Sequence, residues 1–185
     1  DELKTLNIPH AQFSAAFREY ADEEAVNAGE NGLDSISFMF SANAGEPQKP
    51  LGKIISGGEM SRLMLAMKTR LSDTNGISTY VFDEIDAGIS GKTAKVVGEK
   101  FAKIAKTTQI IAVSHLAQIA YMSDGEFLIE KKEENGKTRT FIRALSAEEQ
   151  KEEIVRLLGG EQGEQAAYLH AEELLQRARE FKAAL

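Results

Sequence analysis

The chain has 185 residues, a length typical of a single domain. It contains no cysteine, which excludes disulfide scaffolds and cysteine-ligated metal sites and makes an intracellular protein the simplest interpretation. The net charge of −7 argues against a surface covered with Lys and Arg for holding nucleic acid, although it leaves room for a local basic patch. No apolar run approaches the roughly 20 residues that a membrane span needs, and the N-terminus has no signal-peptide pattern.

Alternating apolar residues in the first part of the chain predict two β-strands, each with one buried face. In 13–17 and in 36–40, apolar side chains recur at every second position, which is the period of a strand. The segment 30–32 is a turn signal between them, and 43–50, with its glycine and prolines, is expected to be a loop. Residues 1–9 read as a short helix-like piece that starts at a cut in a longer chain.

The middle of the chain predicts an amphipathic helix followed by a strand–helix–strand unit. Apolar residues from Met60 to Leu71 fall at helical spacing, and this helix is expected to end near Asn75-Gly76. Two β-rich apolar segments, 77–82 and 109–114, suit buried parallel strands, with a helix over about 92–105 between them. This order predicts a parallel sheet with helices on its faces.

The last part predicts a β-hairpin followed by two helices. The segments 126–131 and 137–144 flank Glu134-Asn135-Gly136, which is a strong hairpin turn signal. Ser146 to Glu149 reads as a capping box that opens a helix ending at Gly159-Gly160, and a final helix follows. The predicted fold class is α/β, with a parallel sheet flanked by helices and an antiparallel β-hairpin.

The first candidate site is Ser56-Gly57-Gly58-Glu59, at the start of the amphipathic helix. Two glycines let the backbone approach a ligand closely, and the free N–H groups of a helix N-terminus favour an anion such as phosphate. The same residues form the Ser-x-x-Glu pattern of a capping box, in which Ser56 simply caps the helix. A plain cap needs no pair of glycines, and these two weaken the first helical turn. Both interpretations stay open.

The second candidate site is the acidic pair Asp83-Glu84, which directly follows the apolar segment Tyr80-Val81-Phe82. Open α/β sheets bind ligands at the carboxyl ends of their strands. One carboxylate at such an end can hold Mg²⁺, and the next can orient and deprotonate an attacking water. Acidic residues also commonly begin the loop after a strand, so the pair alone is a moderately specific signal.

Two weaker candidates follow the acidic pair. The loop from Asp86 to Gly91, which includes Gly88 and Ser90, suits a subunit contact beside the site. A tight turn uses the same residues, and Ser90 also fits as a helix cap. His115 ends the next strand, where a histidine can contact a terminal phosphate or the attacking water, but a lone histidine there is usually structural.

One segment looks like a phosphate-binding loop and is rejected. Ser90-Gly91-Lys92-Thr93 contains the sequence Gly-Lys-Thr, but the glycine required five positions before Gly91 is replaced by Asp86. The segment also follows a loop, whereas a P-loop follows a strand directly. No other stretch matches, so this chain carries no P-loop.

Taken in order, these motifs resemble the second half of an ABC-type ATPase. On that match, 55–59 corresponds to the signature motif, 80–84 to the Walker B strand, 86–91 to the D-loop and His115 to the switch histidine. The amino-acid sequences of 56–62 and 82–91 are similar to the C-terminal head portion of the SMC-like ATPases of bacterial DNA repair. Further similarity lies in Leu157-Leu158-Gly159-Gly160 and in 40–47, so the resemblance covers nearly the whole chain.

The resemblance implies half of an ATPase head. Residues 1–9 would end a returning coiled-coil helix, and the P-loop would lie on an N-terminal segment of the same protein. Two heads of a homodimer would sandwich two ATP molecules with Mg²⁺, and hydrolysis would separate the heads. The implied process is recombinational repair of DNA double-strand breaks, with DNA as a partner, no membrane, and a cytoplasmic, nucleoid-associated location.

The same resemblance implies a role for each candidate residue. Asp83 would bind Mg²⁺, and Glu84 would activate water as the catalytic base. His115 would sense the γ-phosphate. Ser56, Gly57, Gly58 and Glu59 would contact the ATP that is bound to the opposite head, and the D-loop residues Asp86, Gly88 and Ser90 would form the dimer contact between the two sites.

Two other functions remain as hypotheses. A nucleotide-binding domain of an ABC transporter would normally contain its P-loop and a glutamine loop within a comparable length, and Glu59 replaces the glutamine that is usual in a transporter signature. The other hypothesis is a docking module for the N-terminal half, with no ATPase activity of its own. Comparing ATP hydrolysis with and without the N-terminal segment separates this last hypothesis from an active fragment.

Overall fold

A computed structural model describes residues 1–17, 34–53, 56–71, 76–134, 136–161 and 163–185 of the chain. In chain order, its helices and strands are α1 (Glu2–Thr5), β1 (Gln12–Phe17), β2 (Ile36–Ser41), β3 (Lys49–Pro50), α2 (Gly57–Leu71), β4 (Thr79–Phe82), α3 (Gly91–Ile104), β5 (Gln109–Ala112), α4 (Ala117–Ala120), β6 (Phe127–Glu134), β7 (Lys137–Ala144), α5 (Ala147–Leu157) and α6 (Gln165–Ala183). This is the predicted α/β class. The predicted turn at 30–32 and the residues Ile55, Asn75 and Asn135 lie outside the described residues.

The two N-terminal strands pair as an antiparallel ladder, in which Phe13 lies opposite Phe40. The prediction of one buried face is wrong for most of this ladder, because Phe17 is 62% exposed whereas Phe40 is buried. The predicted loop is also partly a strand, since Lys49–Pro50 pairs with β2 as β3. A proline is tolerated there because β3 lies at the edge of the sheet, where no ladder hydrogen bond is lost.

The predicted strand–helix–strand unit is confirmed, and it builds the main core. β4 and β5 pair in parallel, with α3 between them in the chain. Phe82 of β4 is buried, and its ring centre lies 5.0 Å from that of Phe101 in α3. The opposite face differs from the prediction of fully buried strands, because Val81 is 68% exposed and Ile111 is 48% exposed. Helices therefore cover one face of this sheet in the described structure.

Helix α2 packs on the same core through a face that follows the predicted apolar stripe only in part. Leu63 of the stripe is buried, whereas Met64 and Leu71 of the stripe are exposed, and the buried face also contains Leu65, which the stripe left out. Leu65 joins the cluster around Phe82, so α2 is fixed directly beneath the end of β4. This packing places the start of α2 beside the loop that follows the strand.

The C-terminal part follows the prediction closely. β6 and β7 form the antiparallel hairpin, and β6 runs to Glu134, beyond the predicted end at residue 131. α5 begins with the predicted capping box, in which the Ser146 side chain and the Glu149 side chain each accept a hydrogen bond from the other residue's backbone N–H. α5 and α6 enclose a second buried cluster that includes Ile154 and Ala171.

Candidate functional site

The acidic pair and the histidine lie at one edge of the parallel sheet. β4 ends at Phe82, and the Val113 N–H, which follows β5, donates to the Phe82 carbonyl at 3.0 Å, so the two strands end side by side. Asp83 and Glu84 follow directly and are exposed, and the His115 side chain is 76% exposed. The structure therefore brings together three of the predicted site residues at a carboxyl edge, where open sheets bind ligands.

Glu84 has a left-handed backbone conformation, which the sequence does not predict for a glutamate. Its φ is 55°, in the left-handed region, which costs roughly 1–2 kcal/mol for a residue with a Cβ. The turn is held by two local hydrogen bonds: Glu84 N–H donates to Asp83 Oδ1 at 2.9 Å, and Ala87 N–H donates to the Glu84 carbonyl at 3.0 Å. These bonds reverse the chain immediately after β4 and turn the Glu84 side chain toward α2.

The start of α2 serves as a cap and as a packing surface. Glu59 N–H donates to Ser56 Oγ at 3.4 Å, so the serine caps the helix as the simpler interpretation proposed. Ser56 and Gly57 are exposed, and Gly58 is buried. A Cβ on Gly57 would overlap the Glu84 carboxylate, and one on Gly58 would lie 3.0 Å from both the Glu84 carbonyl and the Ala87 Cβ. The glycine pair therefore permits close approach of the chain's own loop.

This contact was not anticipated from the sequence. The resemblance implies that the glycine-rich motif and Glu84 act on two different nucleotides. In the structure, however, Gly57 lies against the Glu84 carboxylate of the same chain. Contact between the exposed Glu84 carboxylate and a helix N-terminus is electrostatically favourable, because the helix dipole carries partial positive charge there. The arrangement leaves Ser56 and Gly57 accessible from outside while joining them to the acidic pair.

Arg62 is a site residue that the sequence analysis missed. It is 6% exposed, and its Nη1 donates to the carbonyls of Ala87 at 2.8 Å and Ile85 at 3.4 Å. Burial lowers the pKa of the guanidinium, and the charge of Glu59 partly opposes that change. Ser61 Oγ adds a 2.7 Å bond to the Asp83 carbonyl. A signal was present, because Arg62 shares a helix face with the apolar residues three and four positions later.

Asp86 of the predicted D-loop points into the molecule. It is 6% exposed, and its Oδ2 accepts from Ser114 Oγ at 2.6 Å and from the His115 N–H at 2.8 Å. His115 Nδ1 lies 3.0 Å from the same oxygen. Gly88 and Ser90, the other predicted D-loop residues, are exposed, and Ser90 occupies the N-cap position of α3 without a side-chain cap bond.

The residues present fit a magnesium–nucleotide group better than a protein-only metal site. Among the described residues, no group of three or more His, Cys, Asp or Glu side chains is arranged to hold a metal ion. Mg²⁺ is commonly held by one or two carboxylates together with phosphate oxygens and water. The exposed Asp83 carboxylate at the strand end suits that mode. Over the described part of the chain, no helix combines the length and apolar character that crossing a bilayer requires.

Several curated proteins are similar to this chain over nearly its whole length. The DNA repair protein RecN of Halalkalibacterium halodurans is 41% identical over 98% of the chain, and that of Streptomyces coelicolor is 38% identical over 96%. RecN of Bacillus subtilis is 37% identical over 98%. The chain spans about a third of the length of these relatives. No family model matches it.

Among solved structures, the Smc head domain with a coiled coil and joint from Pyrococcus yayanosii superimposes with a TM-score of 0.53. It is 19% identical, and the match covers 84% of this chain and 27% of that one. This likeness supports the fold alone, which is that of an Smc head domain. With relatives that are 36–42% identical along almost all of its residues, the chain belongs to the RecN family over the part of those proteins that it covers.

Proposed function

We propose that this chain is the part of an SMC-like ATPase head that supplies the water-activating and partner-sensing residues in DNA double-strand-break repair. The observation that carries the proposal is the shared location of Asp83, Glu84 and His115, exposed at one carboxyl edge of the parallel sheet. The P-loop would come from an N-terminal segment of the same protein. The name of the relatives, DNA repair protein, supports the process.

At this edge each residue would have a distinct task. Asp83 would hold Mg²⁺, which when bound neutralises charge on the β- and γ-phosphates of ATP. Glu84 would orient the attacking water and accept its proton. His115, whose ring is exposed, would donate to or sense the γ-phosphate. The left-handed turn at Glu84 sets the direction of the base, so the backbone is part of the catalytic geometry.

The second set of residues would serve the partner head of a homodimer. Ser56, Gly57, Gly58 and Glu59 would contact ATP bound to the opposite head, and the exposed Ser56 and Gly57 leave the backbone open for that contact. Gly88 and Ser90 would lie at the dimer contact. DNA would be the partner whose repair depends on this cycle, in the cytoplasm at the nucleoid.

Glu84→Gln in the intact protein tests the proposal. The amide keeps the size of the side chain but cannot accept the proton, so turnover should fall by ~10²–10⁴-fold while ATP binding is retained. Glu133→Gln, on the exposed hairpin, is the matched control and should leave turnover unchanged. Steady-state hydrolysis and nucleotide binding measured on both variants decide the point. Unchanged turnover in Glu84→Gln would show that Glu84 is not the base.

A second candidate function for the chain by itself is a docking module without ATPase activity. The observation that favours it is the exposure of apolar side chains on both β-sheets and the hairpin, for example Phe17, Val81 and Ile142 at 62–68%. Hydrolysis should be absent from the 185-residue chain and appear when the P-loop segment is added. Robust hydrolysis by the chain alone would overturn this second candidate.

A further inference from the structure

Asp86 makes more polar contacts than a residue of a tight turn requires. One carboxylate oxygen accepts from the Ser114 hydroxyl, from the His115 backbone N–H and from His115 Nδ1, at 2.6, 2.8 and 3.0 Å. Ser114 Oγ in turn accepts from the Leu116 N–H at 3.1 Å. The carboxylate therefore holds Ser114 and His115, which directly follow β5. Among the described residues, it is the one polar partner of the His115 ring.

We propose that Asp86 is a positioning residue for His115, which fixes both the orientation and the tautomer of the imidazole. A carboxylate that accepts from Nδ1–H keeps the hydrogen on that nitrogen and leaves Nε2 as the free nitrogen. Asp86 is 6% exposed while the His115 side chain is 76% exposed, so a buried carboxylate holds the Nδ1 side of a ring that is largely exposed.

The position of Asp86 is itself held from the other side. Arg62 donates to the carbonyls of Ile85 and Ala87, the two neighbours of Asp86. Ile85 is fully buried in the core cluster of Phe82 and Leu65. Because the backbone on both sides of Asp86 is fixed, the carboxylate keeps its position and can set the orientation of the exposed His115 ring.

The contact with Asp86 makes the two ring nitrogens of His115 chemically different. With Nδ1–H donated to Asp86, neutral His115 presents a bare Nε2 that accepts a hydrogen bond. In an imidazolium both nitrogens are donors, so an Nε2–H of that form would suit an anion. This chemical reading rests on the proposed function, in which His115 meets a γ-phosphate, but the positioning of the ring does not.

A purely structural role for Asp86 is the competing explanation, since the carboxylate also orders the backbone of 114–116. Asp86→Asn separates the two roles. Its amide oxygen can still accept from the His115 N–H and from Ser114, but the side chain no longer carries the charge that secures Nδ1–H. Ser114→Ala is the matched variant, because it removes one donor and leaves the carboxylate beside the ring.

The test is ¹⁵N NMR of the histidine side chains in the 185-residue chain at about pH 8, where an unperturbed imidazole is neutral. His170 is an internal reference, because its Nδ1 lies 3.9 Å from Glu173, beyond hydrogen-bond distance. We expect His115 to show the Nδ1–H tautomer in the wild type and in Ser114→Ala, and to lose it in Asp86→Asn. His170 should be unchanged in all three.

Wild-type His115 with its hydrogen mainly on Nε2, or a tautomer unchanged in Asp86→Asn, would overturn the proposal. This readout needs no nucleotide, so it stands apart from the proposed ATPase function. In the intact protein, Asp86→Asn should then lower turnover by roughly 10–100-fold, the usual effect of removing a partner that orients a functional histidine. A shifted tautomer without that loss would keep the positioning role and count against His115 in the ATPase mechanism.

Discussion

The loop after β4 and the hairpin of β6 and β7 are both surface segments, yet they are held in opposite ways. The loop from Asp83 to Ser90 is anchored in the core by the fully buried Ile85 and is fixed further by buried polar groups, Arg62 from one side and Asp86 from within. The hairpin is rich in apolar side chains, and those at Phe127, Ile129 and Ile142 are 52–70% exposed.

This difference separates a loop with fixed geometry from an apolar surface that the described residues leave uncovered. Buried polar groups favour one geometry, because any movement breaks hydrogen bonds that water cannot replace, although Arg62 Nε is buried without a hydrogen-bond partner among the described residues. An exposed apolar strand face adds little to the stability of the isolated chain. It would contribute favourable free energy only if another surface covered it and removed it from water. Substitution should therefore disturb the isolated chain more in the loop than in the hairpin.

The largest expected effect is that of Arg62→Ala. The substitution removes the donors to the carbonyls of Ile85 and Ala87 and leaves a cavity beneath the loop, so the free energy of unfolding should fall by about 2–4 kcal/mol. Urea denaturation of the chain measures the change. Arg179→Ala, at an exposed position of α6, is the control and should change stability by less than about 0.5 kcal/mol. An equal loss of unfolding free energy in Arg62→Ala and Arg179→Ala would show that buried Arg62 does not hold the loop.

An intermediate effect is expected where the hairpin meets the core. Burial raises the pKa of Glu126 to about 7 from an ordinary value of 4.5, the Ser123 hydroxyl partly opposes this, and the charge of Glu153 adds to it. The folded chain then binds this proton more tightly than the unfolded chain does. Its contribution to stability is present below about pH 4.5 and is lost as the pH rises through about 7.

Glu126→Gln should remove this pH dependence. Because the side chain keeps some contact with water, the gain in unfolding free energy above pH 7 should be about 1–2 kcal/mol, less than the full shift in pKa implies. Stability curves at pH 5 and pH 8 for wild type and variant measure it. Glu133→Gln, exposed on β6, should show no such gain, and a gain of the same size there would remove Glu126 as the cause.

The smallest effect is expected on the hairpin face. Phe127→Ser and Ile142→Ser replace side chains that are 70% and 65% exposed, so the isolated chain should lose less than about 0.5 kcal/mol. Phe82→Ser, buried at 4% exposure, is the contrasting variant and should be strongly destabilising. A large loss from either hairpin variant would show that this face is packed in solution, which would remove the contrast with the loop.

Local elements and the order of motifs could be predicted from the sequence because their signals are local. The capping box depends on Ser146 and Glu149, which lie three positions apart, and the strands of the hairpin and of the strand–helix–strand unit each follow from a pattern within one short segment. The placement of Asp83, Glu84 and His115 at one sheet edge also followed, because parallel strands end at a common edge.

Burial was predicted less well, for a physical reason. The alternation around Phe17 and the apolar run around Val81 indicate strands with apolar faces, but neither pattern can show whether such a face is covered within this chain. The face of α2 was predicted only in part for a related reason: Leu63 is buried as expected, but Arg62 also occupies a buried position, which hydrophobic periodicity alone gives to apolar residues.

By itself, the sequence determined the fold class, the family resemblance and the residue types available at the sheet edge. Each of these depends on apolar periodicity or on motifs of neighbouring residues. Only the tertiary structure decided that Gly57 and Gly58 make room for the Glu84 turn and that Asp86 faces inward to hold His115. Those contacts join residues 26 to 29 positions apart in the chain. Their geometry depends on how α2, β4 and β5 pack together, which no local pattern encodes.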